Sequence, residues 1–71
     1  MNKIDIGKRI RRLRLNLDIT QAELAVMAGS TQSHVGNLER GRRELTAKCA
    51  EQLASALGVS PAHLMGWDII Q

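Results

Sequence analysis

The sequence contains very few aromatic residues, one proline and one cysteine. Trp67 is its single aromatic residue, and Pro61 is its single proline. Because aromatic side chains are part of the usual material of β-strands, their scarcity favours a helical chain with an aliphatic core of Leu, Ile, Val and Ala. The single cysteine, Cys49, excludes a disulfide within the chain and is typical of a reducing compartment.

Long apolar runs are also missing. No stretch is long enough to span a membrane and no signal peptide is visible, so we expect a cytoplasmic protein without a membrane partner. The 71 residues suffice for one domain. A domain this short buries only about 60% of the surface of its unfolded chain, so its core must be compact.

The patterns typical of enzymes and metal proteins are absent from the sequence. There is no Ser/His/Asp set and no glycine-rich loop that could cradle a phosphate. Cys49 does not have metal-ligand spacing with His34 or His63, and we interpret it as a small, partly buried residue. We therefore expect no enzymatic activity, cofactor, metal or small-molecule ligand.

Basic residues are abundant and unevenly distributed. The formal net charge is +3, and residues 1–14 contain six Lys and Arg side chains against a single acid, Asp5. Arg40, Arg42 and Arg43 form a second basic group. Two such clusters fit a polyanionic partner, although charge clusters also occur on solvated helix faces, and charge alone leaves both interpretations open.

Apolar spacing predicts a first helix over about residues 4–16. Ile6, Ile10, Leu13 and Leu17 are separated by four, three and four positions, which places them on one helical face. The arginines between them are expected on the opposite, solvent-facing side.

Capping residues predict four further helices. Thr20 and Glu23 form a capping box at the start of the second helix, and Gly29 ends it. Ser30 and Thr31 are both possible caps of the third helix, and Thr46 and Ser60 can cap the fourth and fifth. The inward-facing residues expected for these helices are Leu24, Ala25 and Ala28 in the second, Ala50, Leu53, Ala54 and Leu57 in the fourth, and Leu64 and Met65 in the fifth.

The second helix, the turn at Gly29 and a third helix over residues 31–40 have the spacing of a helix-turn-helix. Val35 and Leu38 define the buried side of the third helix. At about 100° per residue, the opposite face presents polar groups and a glycine that would allow close approach to another surface. The residues of this face are Ser33, Gly36, Asn37 and Arg40, and Gln32 projects from the N-terminal end of the helix.

This polar face has the chemistry of base recognition. Gln and Asn side chains can each bond adenine through two hydrogen bonds, and Ser can donate or accept at several base edges. An ordinary polar helix surface is the alternative interpretation.

Three segments together resemble the phage repressor and Cro type of helix-turn-helix protein. They are T-Q-A-E-L-A (20–25), G-S-T-Q-S-H-V-G-N-L-E-R-G (29–41) and L-A-S-A-L-G-V-S (53–60), and the resemblance covers roughly residues 4–66. It implies an all-α fold: a compact five-helix, lambda-repressor-like DNA-binding domain over residues 1–66. Residues 67–71 would be a tail, or the start of a linker or dimerisation segment.

The resemblance also implies roles for individual residues. Gln21 would bind a DNA phosphate and brace Gln32. Arg14 and Glu39 would form an ion pair that ties the first helix to the end of the third. His34 departs from the family pattern, in which some relatives have a small residue; it is expected to face solvent or a backbone phosphate, with a base contact as the alternative. The implied base-contacting residues are Gln32, Ser33 and Asn37, and the implied phosphate-contacting residues are Gln21, Thr31, Arg40, Arg42 and Arg43.

The sequence therefore predicts a transcriptional regulator, of phage or prophage repressor or Cro-like type, that binds a palindromic operator in double-stranded DNA as a homodimer. An antitoxin-like protein-interaction module on the same scaffold is the alternative, and its sign would be an exposed apolar surface. A nonspecific nucleoid binder is less favoured, because such proteins rely on basic contacts and DNA deformation rather than on a Gln/Ser/Asn face. The apolar residues expected to serve dimerisation are Met65, Trp67, Ile69 and Ile70.

Overall fold

Five short helices account for most of the chain. A computed structural model describes residues 2–66, and within that range it contains helices and turns but no strand. The predicted all-α, five-helix fold is therefore confirmed. The helices are α1 (Lys3–Asn16), α2 (Gln21–Ala28), α3 (Gln32–Glu39), α4 (Ala47–Leu57) and α5 (Pro61–Met65).

The helices begin where the sequence places capping side chains. The Thr20 hydroxyl accepts a hydrogen bond from the Glu23 backbone N–H at 3.0 Å, and the Glu23 carboxylate accepts one from the Thr20 N–H at 2.8 Å. Thr31, Thr46 and Ser60 cap α3, α4 and α5 through the same kind of bond. Loss of such a cap costs about 1 kcal/mol, so these side chains determine where the helices start.

The end of α3 is a turn that folds the chain back over the helix. Gly41 has φ +73° and donates its N–H to the Leu38 carbonyl at 3.1 Å. The Arg42 N–H donates to the Asn37 carbonyl at 2.9 Å. This pair of bonds is a Schellman motif, which requires the left-handed conformation that glycine adopts without strain. Arg42 is therefore held beside the last turn of α3.

The core is aliphatic, as predicted, and it holds α3 from two sides. α3 packs against both α1 and α2, α2 also packs against α4, and α5 closes the core against α4 and α1. The inward residues predicted for α2, α3 and α4 are all buried. The largest fully buried side chains are Ile10, Leu24, Val35, Leu38 and Leu64.

The prediction for α1 is wrong at its C-terminal end. Leu17 follows the helix and is 48% exposed, and Leu13 is only partly buried. Arg14 is buried instead, with 8% of its surface exposed, so not every arginine of α1 faces solvent. Hydrophobic spacing could not reveal this, because Arg14 is buried by virtue of an ionic partner on another helix.

The predicted apolar dimerisation surface is only partly within the described residues. Met65 is partly buried and packs against the core, whereas Trp67, Ile69 and Ile70 lie outside the described residues. The most exposed large apolar side chain in residues 2–66 is on α2 instead, where Val26 is 81% exposed beside Met27. This exposed apolar surface on α2 was not among the sequence predictions.

Candidate nucleic-acid interface

The N-terminal end of α3 carries the exposed polar residues of the predicted interface. Thr31, Gln32 and Ser33 are all exposed, and Asn37 is half-buried one turn later. Val35 and Leu38, at 0% and 2% exposure, anchor the other side of α3 in the core. The helix is thus fixed by its apolar side and offers polar groups at its free end.

Gly36 does not form the open gap that the sequence suggested. It is buried, and a Cβ atom built on it would lie 3.3 Å from both terminal nitrogens of Arg40 and 3.4 Å from the Gln21 amide oxygen. Two long side chains therefore cover this position. Helical periodicity showed which side Gly36 is on, but it could not show that neighbouring side chains fold across it.

A buried ion pair joins α1 to the C-terminal end of α3. Arg14 Nε donates to Glu39 Oε2 at 2.6 Å, and Arg14 Nη2 donates to Glu39 Oε1 at 3.0 Å. The two side chains are 9% and 2% exposed. This two-point geometry is the strong form of an Arg–carboxylate contact, and it confirms the predicted pair.

Arg14 makes one further hydrogen bond, from Nη1 to the Ile19 carbonyl at 2.9 Å. The hydrogen bond to Glu39 raises the pKa of Arg14 above its ordinary value, while burial opposes the shift. A raised pKa means that the guanidinium loses its charge only in strongly alkaline solution. The contribution of Arg14 to stability is therefore present throughout the neutral range.

Gln21 braces α3 at a different point from the one predicted. Its amide Nε2 donates to Glu39 Oε1 at 3.1 Å, whereas the resemblance implied a bond to Gln32. The first residue of α2 is therefore tied to the last residue of α3. The expected bracing of Gln32 is corrected because the buried carboxylate is the stronger acceptor for this amide.

Gly7 is a positioning residue that the sequence analysis missed. A Cβ atom at Gly7 would lie 2.4 Å from the Leu38 carbonyl oxygen and 2.6 Å from that of Glu39. α1 therefore touches the backbone of α3 directly. The available signal was a glycine within an amphipathic helix, seven positions before Arg14, at a place where helix propensity alone would favour alanine.

Three exposed arginines lie at and beyond the C-terminal end of α3. Arg40 donates from Nη2 to the Asn37 side-chain oxygen at 3.1 Å, which occupies part of the hydrogen-bonding capacity of Asn37. Arg42 and Arg43 are exposed in the connector to α4. The structure therefore places the predicted phosphate-contacting arginines at the opposite end of α3 from Gln32.

His34 points towards α4 rather than outward. Its Nε2 lies 3.7 Å from the Cys49 thiol in a partly buried contact. The expectation of a solvent- or backbone-facing His34 is corrected, since the side of α3 that carries it packs near the start of α4. The interpretation of Cys49 as a partly buried residue is confirmed.

Metal-binding clusters and membrane-spanning helices are both absent from residues 2–66. No group of three or more His, Cys, Asp or Glu side chains in residues 2–66 is arranged to hold a metal ion. Among the helices described, none is both long and apolar enough to cross a membrane.

Comparisons with known proteins agree with this arrangement. A protein-family model described as "Helix-turn-helix" matches residues 10–64. Over 60 residues, the chain is 40% identical to the uncharacterised HTH-type transcriptional regulator y4dJ of Sinorhizobium fredii, and the match covers 84% of this chain and 78% of that protein.

A phage protein is similar in both sequence and structure. The chain is 35% identical over 71 residues to the repressor protein C2 of Salmonella phage P22, which covers 100% of this chain but only 33% of the repressor. The crystal structure of the P22 c2 repressor with a synthetic operator has a TM-score of 0.79 at 36% identity, covering 83% of this chain and 89% of that one. The chain thus spans about a third of the phage repressor's length.

Proposed function

The chain belongs to the helix-turn-helix family, and from this membership we propose that it is a sequence-specific transcriptional regulator that binds double-stranded DNA. α3 is its recognition helix. One observation carries the proposal: the polar N-terminal end of α3 is exposed while its apolar side is locked between α1 and α2. In helix-turn-helix proteins, the N-terminal residues of the second helix contact base edges in the major groove.

The proposal assigns base recognition and phosphate contacts to different residues of the interface. Gln32, Ser33 and Asn37 discriminate bases, and the hydrogen bond from Arg40 orients the Asn37 oxygen. Contacts to phosphate set the register without reading sequence. The residues proposed for those contacts are Gln21, Thr31, Arg40, Arg42 and Arg43.

We also propose a repressor of the phage type that acts as a homodimer. The P22 c2 repressor binds an operator, and a two-fold symmetric dimer of this chain would place two copies of α3 in major grooves about one helical turn apart. In this scheme residues 1–66 form the DNA-binding domain, and residues 67–71 belong to a linker or dimerisation segment. A cytoplasmic location and the absence of catalytic activity follow from the same proposal.

Selection of bound sites from random DNA tests the function directly. We expect the chain to enrich one palindromic sequence, because two identical recognition helices related by a two-fold axis read the same bases on opposite strands. Enrichment of a sequence without symmetry would exclude the homodimer while leaving base recognition in place. No enrichment above random DNA would exclude sequence-specific binding.

Gln32→Ala should weaken binding to the selected site by about 1–3 kcal/mol and relax discrimination at one base pair. The physical reason is the loss of a paired hydrogen bond to one base edge. Titration of the selected duplex and of its single-base variants measures the effect. Gln52→Ala, a glutamine exposed on α4, serves as the control and should bind like the wild type. A Gln32→Ala variant that weakens binding equally on random DNA would contradict the base-reading role.

Arg42→Ala should weaken binding to all sequences by a similar factor and flatten the dependence of log K on log salt concentration by about one unit. The reason is that each neutralised phosphate releases counterions regardless of base sequence. Titrations between about 50 and 200 mM salt measure this slope. Arg12→Ala removes the same charge from an exposed position on α1 and should leave the slope unchanged. An unaltered slope in Arg42→Ala would remove Arg42 from the set of phosphate contacts.

A further inference from the structure

Four exposed basic residues of α1 have no part in the interface proposed so far. Lys3, Lys8, Arg11 and Arg12 are all exposed. Within residues 2–66 the ion pair found is that of Arg14 with Glu39, so these four cations lack a carboxylate partner there. The surface of α1 therefore carries an excess of positive charge, with Asp5 as its one acid, that neither the core nor the proposed contacts of α3 use.

The contact at Gly7 places one side of α1 against the end of α3. Gly7 touches the Leu38 and Glu39 carbonyl oxygens. Lys3 and Arg11 are four positions before and after Gly7, so all three share one row along the helix. At about 100° per residue, Arg11 is about 40° from Gly7 around the helix axis, whereas Arg12 is about 140° away. Lys3 and Arg11 thus flank the C-terminal end of α3, and Arg12 does not.

The connector after α3 also passes close to α1, at its first turn. Arg42 is held beside the last turn of α3 by its bond to the Asn37 carbonyl. A Cβ atom on the neighbouring Gly41 would lie 3.0 Å from Cα of Ile4 in the first turn of α1. Exposed cations from two separate parts of the chain therefore surround one helix end, and we call Lys3, Arg11 and Arg42 the α3-end cluster.

The length of α3 indicates what this cluster faces in a DNA complex. α3 has 8 residues and is therefore about 12 Å long, close to the width of about 12 Å of the major groove. When its N-terminal end contacts base edges, its C-terminal end lies near the phosphates that border the groove. A lysine or arginine there can neutralise phosphate charge but does not read a base.

We propose that Lys3 and Arg11 extend the phosphate-binding surface from the connector onto α1, so that the α3-end cluster binds the DNA backbone as one unit. This inference rests on the proposed DNA-binding function and adds to it a contact surface from the first helix. The contact is independent of sequence: it contributes to affinity and to positioning, while discrimination stays with the N-terminal end of α3.

A matched pair of neighbouring arginines tests the inference. Arg11→Gln and Arg12→Gln remove the same charge from adjacent exposed positions of α1. We expect Arg11→Gln to reduce the magnitude of the slope of log K against log salt concentration by about one unit. The double variant Lys3→Gln with Arg11→Gln should reduce it by about two units and weaken binding at low salt on the order of tenfold. Arg12→Gln should match the wild type. Both the selected site and a random duplex should show the same factor.

Two further measurements separate the possible outcomes. Arg11→Lys keeps the charge and should keep the wild-type slope, and thermal unfolding of each variant shows whether a changed affinity reflects a damaged fold. Equal slopes for Arg11→Gln and Arg12→Gln would overturn the inference. The proposed function would still stand in that case if the wild-type chain binds the selected site. A wild-type chain that fails to bind DNA would overturn both.

Discussion

Glu39→Ala is expected to destabilise the domain by about 3–5 kcal/mol, because it leaves the Arg14 guanidinium buried without a counter-charge. Glu39 accepts three hydrogen bonds, two from Arg14 and one from Gln21. A small domain has a total stability towards the lower end of about 5–15 kcal/mol, so this one change could unfold a large fraction of the molecules. Urea unfolding followed by circular dichroism measures the loss.

The double variant Arg14→Met with Glu39→Leu is the informative control. Replacing both members of a buried ion pair by apolar residues of similar volume is often nearly neutral. We therefore expect the double variant to be clearly more stable than Glu39→Ala. A smaller loss of stability should remain, because the Ile19 carbonyl and the Gln21 amide lose their hydrogen-bond partners. A double variant as unstable as Glu39→Ala would mean that the cost comes from packing at Glu39 rather than from the uncompensated charge.

The pair also matters for function, because it determines where α3 ends relative to α1 and α2. In a double variant that stays folded, α3 keeps its apolar anchors, Val35 and Leu38, but loses its polar connection to both neighbouring helices. We expect such a protein to bind the selected site more weakly than its stability alone would explain. The ion pair is then a positioning device as well as a stabilising one.

Gly7→Ala is expected to destabilise the domain by about 1–3 kcal/mol or more, although alanine is intrinsically the better helix former by about 1 kcal/mol. The added methyl group would overlap the backbone carbonyl oxygens of Leu38 and Glu39 at 2.4 and 2.6 Å. Backbone atoms cannot move aside as a side-chain end can, so α1 and α3 must separate. Chemical denaturation gives the size of the loss, and DNA titration shows whether α3 has been displaced.

Gly36→Ala is a matched control within another helix. The atoms nearest to its new methyl group would be the ends of the Arg40 and Gln21 side chains, at 3.3–3.4 Å. Those ends can shift by a few tenths of an ångström, so we expect the stability to be unchanged or slightly increased. A Gly7→Ala variant as stable as Gly36→Ala would show that α1 and α3 are less closely packed than the structure indicates.

The helices and their boundaries were predictable from the sequence because their determinants are local. The capping box of Thr20 and Glu23 and the glycine after α2 act within one helical turn of the residues they affect. Apolar spacing likewise predicted the buried residues of α2, α3 and α4. The family resemblance added the Arg14–Glu39 pair, which links positions 25 residues apart and has no local signature.

The candidate interface was predictable in outline but not in its internal contacts. Helical geometry placed Gln32, Ser33 and Asn37 away from the core. It could not show that Gln21 bonds Glu39, that Arg40 bonds Asn37, or that His34 turns towards Cys49. Each of these contacts joins side chains whose partners depend on rotamers and on the packing of separate turns or helices.

For this protein, the sequence by itself determined the helix-turn-helix, its limits and the polar end of α3, since caps, glycine turns and apolar periodicity operate over a few residues. Only the tertiary structure decided how α3 is aimed. The orientation of α3 depends on Gly7 lying against the α3 backbone and on the buried Glu39 carboxylate, which binds both Arg14 and Gln21. Such contacts between distant residues are determined by close packing in three dimensions. The same packing sets the row of α1 that contains Lys3, Gly7 and Arg11 against the end of α3, and this placement is the basis of the phosphate contact proposed for α1.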